Sequence, residues 1–215
     1  MKHILLTSLV LFVFVIGCKK KDSNNTPEET QPTTTGSTTG GTTGGSSITA
    51  TTAPQATFAL DGVSTSYISN GTTIYGGSGT SGGGSGATVY SSDIDDGNSV
   101  TYININKGTL TYTTSIPTDN QFKAFYPISS IPYSVNAVNG VEVSIFIGGT
   151  EWSTSKGTAN QTGSTFNIVQ TVDNPDLSGT FYLKVKATFS CKVYDGAGNS
   201  KTITNGLYIG DFGNF

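Results

Sequence analysis

The stretch TFYLKVKATFSCKVY, Thr180–Tyr194, alternates apolar and polar side chains from end to end. Only a β-strand sorts such a pattern onto two faces, because its side chains repeat with a period of two. Phe181, Leu183, Val185, Ala187, Phe189, Cys191 and Val193 fall on one face, and Tyr182, Lys184, Lys186, Thr188, Ser190 and Lys192 on the other. At about 3.3 Å per residue such a strand reaches about 50 Å, beyond the usual length. A bend or bulge near Ala187, or a strand that serves two sheets, is therefore expected, and the lysines read as exposed protection against edge pairing.

Other segments repeat the pattern. Val141–Ile147 alternates into Gly148-Gly149 and then Thr150–Thr154, a hairpin signal, since glycines supply the positive φ of tight turns. Ser99–Asn106 and Thr109–Ser115 read as a second hairpin joined at Lys107-Gly108. Asp195–Asn199 turns the chain into Lys201–Ile209, where Ile203, Leu207 and Ile209 share one face around Asn205-Gly206. The glycine-rich run at 76–86 reads as a floppy surface loop. A phosphate cradle would need a strand before that run and a helix after it, and neither is indicated. No window carries a capped helical period. The fold expected is all-β, an antiparallel β-sandwich or a partly closed barrel over residues 51–215.

The chain begins differently. Lys2 precedes an uncharged apolar run, Ile4–Ile16, which has signal-peptide length and is too short to cross a hydrocarbon core of about 30 Å as a helix. Residues 1–17 are read as that signal. They end in Val15-Ile16-Gly17-Cys18, which resembles the bacterial lipobox. The resemblance implies a diacylglycerol on the Cys18 thiol and acylation of its amine. Several chains give stable anchoring where one is marginal, at about 0.8 kcal/mol per buried methylene. Residues 18–50 follow as a Thr/Gly/Ser-rich linker in which Lys19 to about Ser47 lacks aromatic and aliphatic side chains. Such a segment cannot offset its ordering entropy and is expected to be disordered, a tether spanning about 30 Å as a coil.

Composition removes whole classes of chemistry. The single histidine is His3, inside the signal, so Ser-His-Asp, Cys-His and imidazole-metal arrangements have no base or ligand in the processed chain. All basic residues are lysine, and acids outnumber them, which argues against nucleic acid as a partner. With Cys18 lipidated, Cys191 has no disulfide partner, and its place on an apolar strand face marks it as a buried thiol. No cofactor is expected.

Three groups of residues remain as candidate sites. Asp93, Asp95 and Asp96, within Asp93–Asn98, place carboxylates on alternate positions before Gly97, as hard-cation loops do. The spacing departs from the helix-loop-helix calcium loop, and a hairpin turn accounts for it better. Trp152 and Tyr182 could stack on a sugar, although a tryptophan in a sandwich commonly belongs to the core. A glycosidase would need two acids about 5 to 9.5 Å apart across a cleft.

The segment STFNIVQTVDNPDLSGTFYLKVKATFSCKVYDGAGNSKTITNG resembles the closing portion of a group of uncharacterised lipoproteins from Bacteroidetes-type bacteria. The shared pattern is Ser178-Gly179-Thr180-Phe181 opening a long strand and a final Ile203-Thr204-Asn205-Gly206. ATFALDGVSTSY is similar to that group's entry strand. The resemblance implies an all-β, envelope-attached domain and carries over no catalytic residue. It also implies outer-membrane attachment, with the leaflet open, because Lys19-Lys20-Lys21 stands where surface display in such bacteria uses acids. The expectation is a lipid-anchored, non-enzymatic binding or structural module. Glycan binding is the alternative, and a carboxylate-dependent glycoside hydrolase a more distant one; the partners are the membrane and a glycan or envelope protein.

Overall fold

The computed structural model describes residues 46–81, 87–97, 101–176 and 178–215. The signal, Cys18 and most of the linker lie outside these residues, as does Asn98. The described chain forms ten strands: β1 Gln55–Leu60, β2 Val63–Ile68, β3 Tyr75–Ser81, β4 Ala87–Asp95, β5 Tyr102–Thr111, β6 Gly140–Ile147, β7 Thr150–Ser153, β8 Thr165–Asp173, β9 Phe181–Tyr194 and β10 Ser200–Asn214. They make one sheet in the order β2-β1-β10-β9-β7-β6-β5-β4-β3, with β8 also on β9. Every pairing between these strands is antiparallel, and the sheet curls into a nearly closed, barrel-like form.

The long strand stays within the one sheet and runs as a single 14-residue strand, so the irregularity expected near Ala187 falls on its neighbour β8 instead. One edge of β9 pairs with β10 throughout, while the other divides between β8, along Leu183–Ser190, and Ser153 of β7, opposite Tyr194. A bulge falls between Ile168 and Gln170, opposite Ala187 and Lys186. With both edges occupied, β9 is no edge strand, and its lysines are not the exposed guards expected from alternation. Lys184 and Lys186 are buried and only Lys192 is exposed.

Local differences elsewhere have equally specific causes. In β10 the ladder shifts between Ile203 and Gly206, with Asn205 at φ 53°. An extra residue moves the following side chains to the opposite face. Tyr208 therefore points into the core where simple alternation placed Leu207. β5 runs unbroken through Lys107-Gly108, because both residues pair with β6 at Val141 and Gly140, so no hairpin forms there. Gly148-Gly149 does turn β6 into β7, at φ 61° and 79°. The glycine-rich run is not a loop over residues 76–81, which belong to β3 and pair with β4. Asp119–Ala124 forms a short helix, α1, capped by Thr118 and Gln121 on each other's backbone amides. It presses Phe122 into the core, 4.9 Å from the ring of Tyr90 and 6.2 Å from that of Phe181.

The sheet closes on itself at glycines. A Cβ on Gly210 would stand 2.5 Å from Ser92 Oγ of β4 and 2.5 Å from the Tyr208 ring. Beside it the Tyr208 hydroxyl donates to Ser92 Oγ at 2.9 Å. A Cβ on Gly76 would stand 2.6 Å from the Pro54 side chain, so β3 lies against the start of β1. β10 continues past the end of the β1 ladder, which stops at Gln55 opposite Ile209. The seam of the barrel thus runs beside Gly210–Asn214 and β3. Gly210→Ala is expected to lower stability by about 1–3 kcal/mol through overpacking. The urea midpoint reports this, and an unchanged midpoint would show that β4 and β10 do not meet so closely.

Candidate functional site

A groove of about 420 Å³ opens along this seam. One wall is the backbone of Gly76, Gly77 and Ser78 in β3. The other is built by the β8–β9 connection, Asn174, Pro175 and Asp176, together with Tyr182 of β9 and Asp211 of β10. Two of the three β3 residues lack a side chain, so the wall is mainly exposed main chain.

The polar side of the groove is held by the protein itself. In the β9–β10 register Lys184 stands opposite Asp211, so both side chains lie on one face. Lys184 Nζ donates to Asp211 Oδ2 at 2.8 Å, and the Lys184 side chain is 2% exposed against 22% for Asp211. Asn174 Nδ2 donates to Asp211 Oδ1 at 2.9 Å, while the Asn174 amide bonds the Tyr182 carbonyl at 2.8 Å. Asp176 is occupied by its own turn, accepting from the Ser178 hydroxyl and amide and from the Thr180 amide. These bonds, the Ser178 hydroxyl first, hold its carboxyl below the usual range.

The aromatic side is a pair of rings. Tyr182 and Phe215 stand 6.2 Å apart, tilted by 59°, and a Cβ on Gly213 would collide with both. Phe215 is 46% exposed. The Tyr182 hydroxyl has no protein partner among the described residues.

The chain enters the domain near this face. Lys186 Nζ donates to the Ser46 carbonyl at 2.7 Å. Ile48 is buried, with its amide and carbonyl both bonded to the Gln170 side chain, at 2.9 and 3.1 Å. Ser46–Ala50 therefore pack as part of the domain, ahead of the boundary expected at Thr51.

Of the residues singled out from sequence, only Tyr182 lies in the groove. Trp152 sits elsewhere, half-buried against the core in β7, with Lys201 Nζ 4.9 Å above its ring and Lys201 also paired to Asp61. Asp93 and Asp95 share one face of β4, and the segment closes a hairpin: Asp95 pairs with Tyr102, and the Asp96 amide bonds the Thr101 carbonyl. Among the described residues no three His, Cys, Asp or Glu side chains converge to hold a metal ion. The Asp93 carboxylate does adjoin the groove wall, since a Cβ on Gly77 would stand 2.8 Å from its Oδ1. Cys191 is buried beside the Tyr133 hydroxyl, and burial pushes its thiol up to about 12, which keeps it protonated and inert.

Nothing in the sequence tied Asp211, Lys184, Asn174 or Phe215 to a common site. Period two assigned Lys184 to solvent, and only the β9–β10 register reveals its acid. No family model matches the chain, and no curated protein or solved structure does.

The Asp93–Asp95 pair carries a pH signature. Desolvation, then the hydrogen bond with Asp95, raises the Asp93 carboxyl to about 6 from its ordinary 3.8. The folded state holds that proton where the unfolded chain has released it, so stability from this group falls as pH rises from about 4 to about 6. Asp93→Asn is expected to be more stable than the parent above pH 6 and level with it near pH 4. Thermal midpoints of both proteins across that range check this; a constant difference would rule out a shared proton.

Proposed function

We propose that the chain is a lipid-anchored lipoprotein of the cell envelope, attached to the outer membrane through Cys18, whose β domain is a non-enzymatic binding module. The observation that carries the binding role is the seam groove. Its two carboxylates and the Asn174 amide are fixed by protein partners before any ligand arrives, which lowers the entropic cost of binding. The lipobox-like residues and the Thr/Gly/Ser linker carry the anchoring role. No helix among the described residues is long and apolar enough to cross a membrane.

The hydrolase alternative has less support. Asp93 and Asp95 lie two residues apart on one face of a single strand, rather than across a cleft with room for a sugar between them. Asp211 is bound by a buried lysine, and Asp176 by its turn. Both acids that line the groove, Asp176 and Asp211, are thus engaged as structural acceptors.

Anchoring is checked by growing cells that express the full chain with a radiolabelled fatty acid. The parent is expected to take up label and sediment with membranes, and Cys18→Ala to lose both properties. An unlabelled parent would overturn the lipoprotein assignment, and protease treatment of intact cells then identifies the leaflet of a labelled one.

A further inference from the structure

We propose that the seam groove binds a neutral pyranose unit of a glycan, stacked on Tyr182 and hydrogen-bonded by Asp211 and Asn174. This rests on the binding-module reading above and names its ligand class.

The inventory of unused hydrogen-bonding capacity leads there. An ionised carboxylate offers about four lone-pair sites. Lys184 and Asn174 take one on each oxygen of Asp211, leaving one on each for a ligand donor. Asn174 spends one amide hydrogen on Asp211, which leaves its second hydrogen and its carbonyl oxygen. An acceptor and a donor therefore sit side by side, joined by their own hydrogen bond and aimed by a buried ammonium. Neighbouring hydroxyls of a pyranose present the complement, each able to donate and accept. The Tyr182 hydroxyl adds a third polar contact of either sense.

The apolar requirement is met on the other side. A pyranose has C–H-lined faces that pack on an aromatic ring, and the Tyr182–Phe215 pair supplies ring surface at the edge of the groove. The Tyr182–Phe215 rings close over Gly213, and Gly76-Gly77 opposite, packed on Pro54 and Asp93, present main chain to the groove. The groove volume of about 420 Å³ falls within the range of small-molecule sites.

Charge then selects among sugars. The ionisable side chains of the lining, Asp176 and Asp211, are acidic, apart from the phenol of Tyr182, and the nearby cation is committed to Asp211. A uronic or sialic acid would meet these carboxylates without a free cation to receive it. A neutral sugar meets only hydrogen-bonding groups. An extended peptide added to β3 would use main chain alone, leaving Asp211, Asn174 and the ring pair without a role, so the saccharide is the reading the side chains favour.

The test uses the full chain purified from membranes in detergent micelles. It is titrated calorimetrically with maltohexaose, cellohexaose and mannohexaose, and with polygalacturonate as the anionic control. Binding of at least one neutral oligosaccharide is expected, with polygalacturonate inert. Tyr182→Ala is expected to weaken that binding about tenfold or more, while Tyr182→Phe, which keeps the ring and loses only the hydroxyl contact, weakens it by less. Pro175→Trp, a change on an exposed turn residue, fills the groove from its rim and is expected to abolish binding without unfolding the domain. Preference for the anionic polymer, or binding untouched by Pro175→Trp, overturns the proposal. In parallel, a photo-crosslinking amino acid at Pro175 is irradiated in cells. A captured envelope protein with no saccharide binding overturns the sugar but keeps the binding module; no capture and no binding overturns both.

Discussion

The pairing of Lys184 with Asp211 is the constraint around which the seam is organised. Lys184 lies on the face of β9 opposite Leu183 and Val185, yet its side chain is only 2% exposed. Burying an unpaired ammonium costs several kcal/mol, and the opposite strand supplies a carboxylate at the same level. Such a pair adds little net stability compared with apolar residues of the same shape, yet removing one partner is costly. Its consequence is therefore specificity of register: sliding β10 by one residue would strand both charges on opposite faces. It also turns the Asp211 carboxylate toward Asn174 and the groove. A structural necessity of the strand thus places the most distinctive chemical group of the candidate site.

Three lysines are buried in this domain, each by a different device. Lys184 has its acid; Lys186 has the Ser46 carbonyl; Lys107 lies 3.7 Å from the centre of the Phe125 ring. Burial lowers the Lys107 ammonium to about 8, consistent with its having an aromatic face and no carboxylate. The Lys186 contact has a further effect. Together with Gln170 gripping Ile48, it fastens the first described residues across the outer face of β8 and β9. The point where the linker meets the domain is thereby set close to Gln170 and Lys186, on a face of β9 that continues to Lys184 and Tyr182.

Much of the fold is legible in the sequence because period two survives wherever one face is buried. Val141–Ile147, the Gly148-Gly149 turn and the Asp195–Asn199 turn all stand where the pattern puts them. What could not be read is anything decided by partners distant in sequence. Alternation says that Lys184 and Leu183 face opposite ways, but not that a second strand covers the lysine's edge. The Thr204-Asn205 bulge inverts the inward face of β10, and no local residue count announces that inversion. α1 was signalled by Thr118-x-x-Gln121 ahead of Phe122, a capping box too short to stand out beside so many strand signals. Glycines at 76–79 suggested a loop from composition, whereas β3 uses them as a strand that admits Pro54 and the Asp93 carboxylate at close range.

The candidate site shows the same division. Tyr182 was visible because an aromatic on the polar face of a strand lacks an obvious core role. Asp211 was not, since its place opposite Lys184 emerges only when the β9 ladder is laid beside β10. Trp152 illustrates the converse: a conspicuous residue whose ring is taken by Lys201 and the core, leaving less of it for a ligand. Rarity of a side chain is therefore a weaker guide to a site here than unspent hydrogen-bonding capacity. The groove is the place where a buried cation, a partly buried carboxylate and an amide meet a pair of rings, the carboxylate held by the cation and the amide. A binding surface assembled from such groups requires no rearrangement to present them.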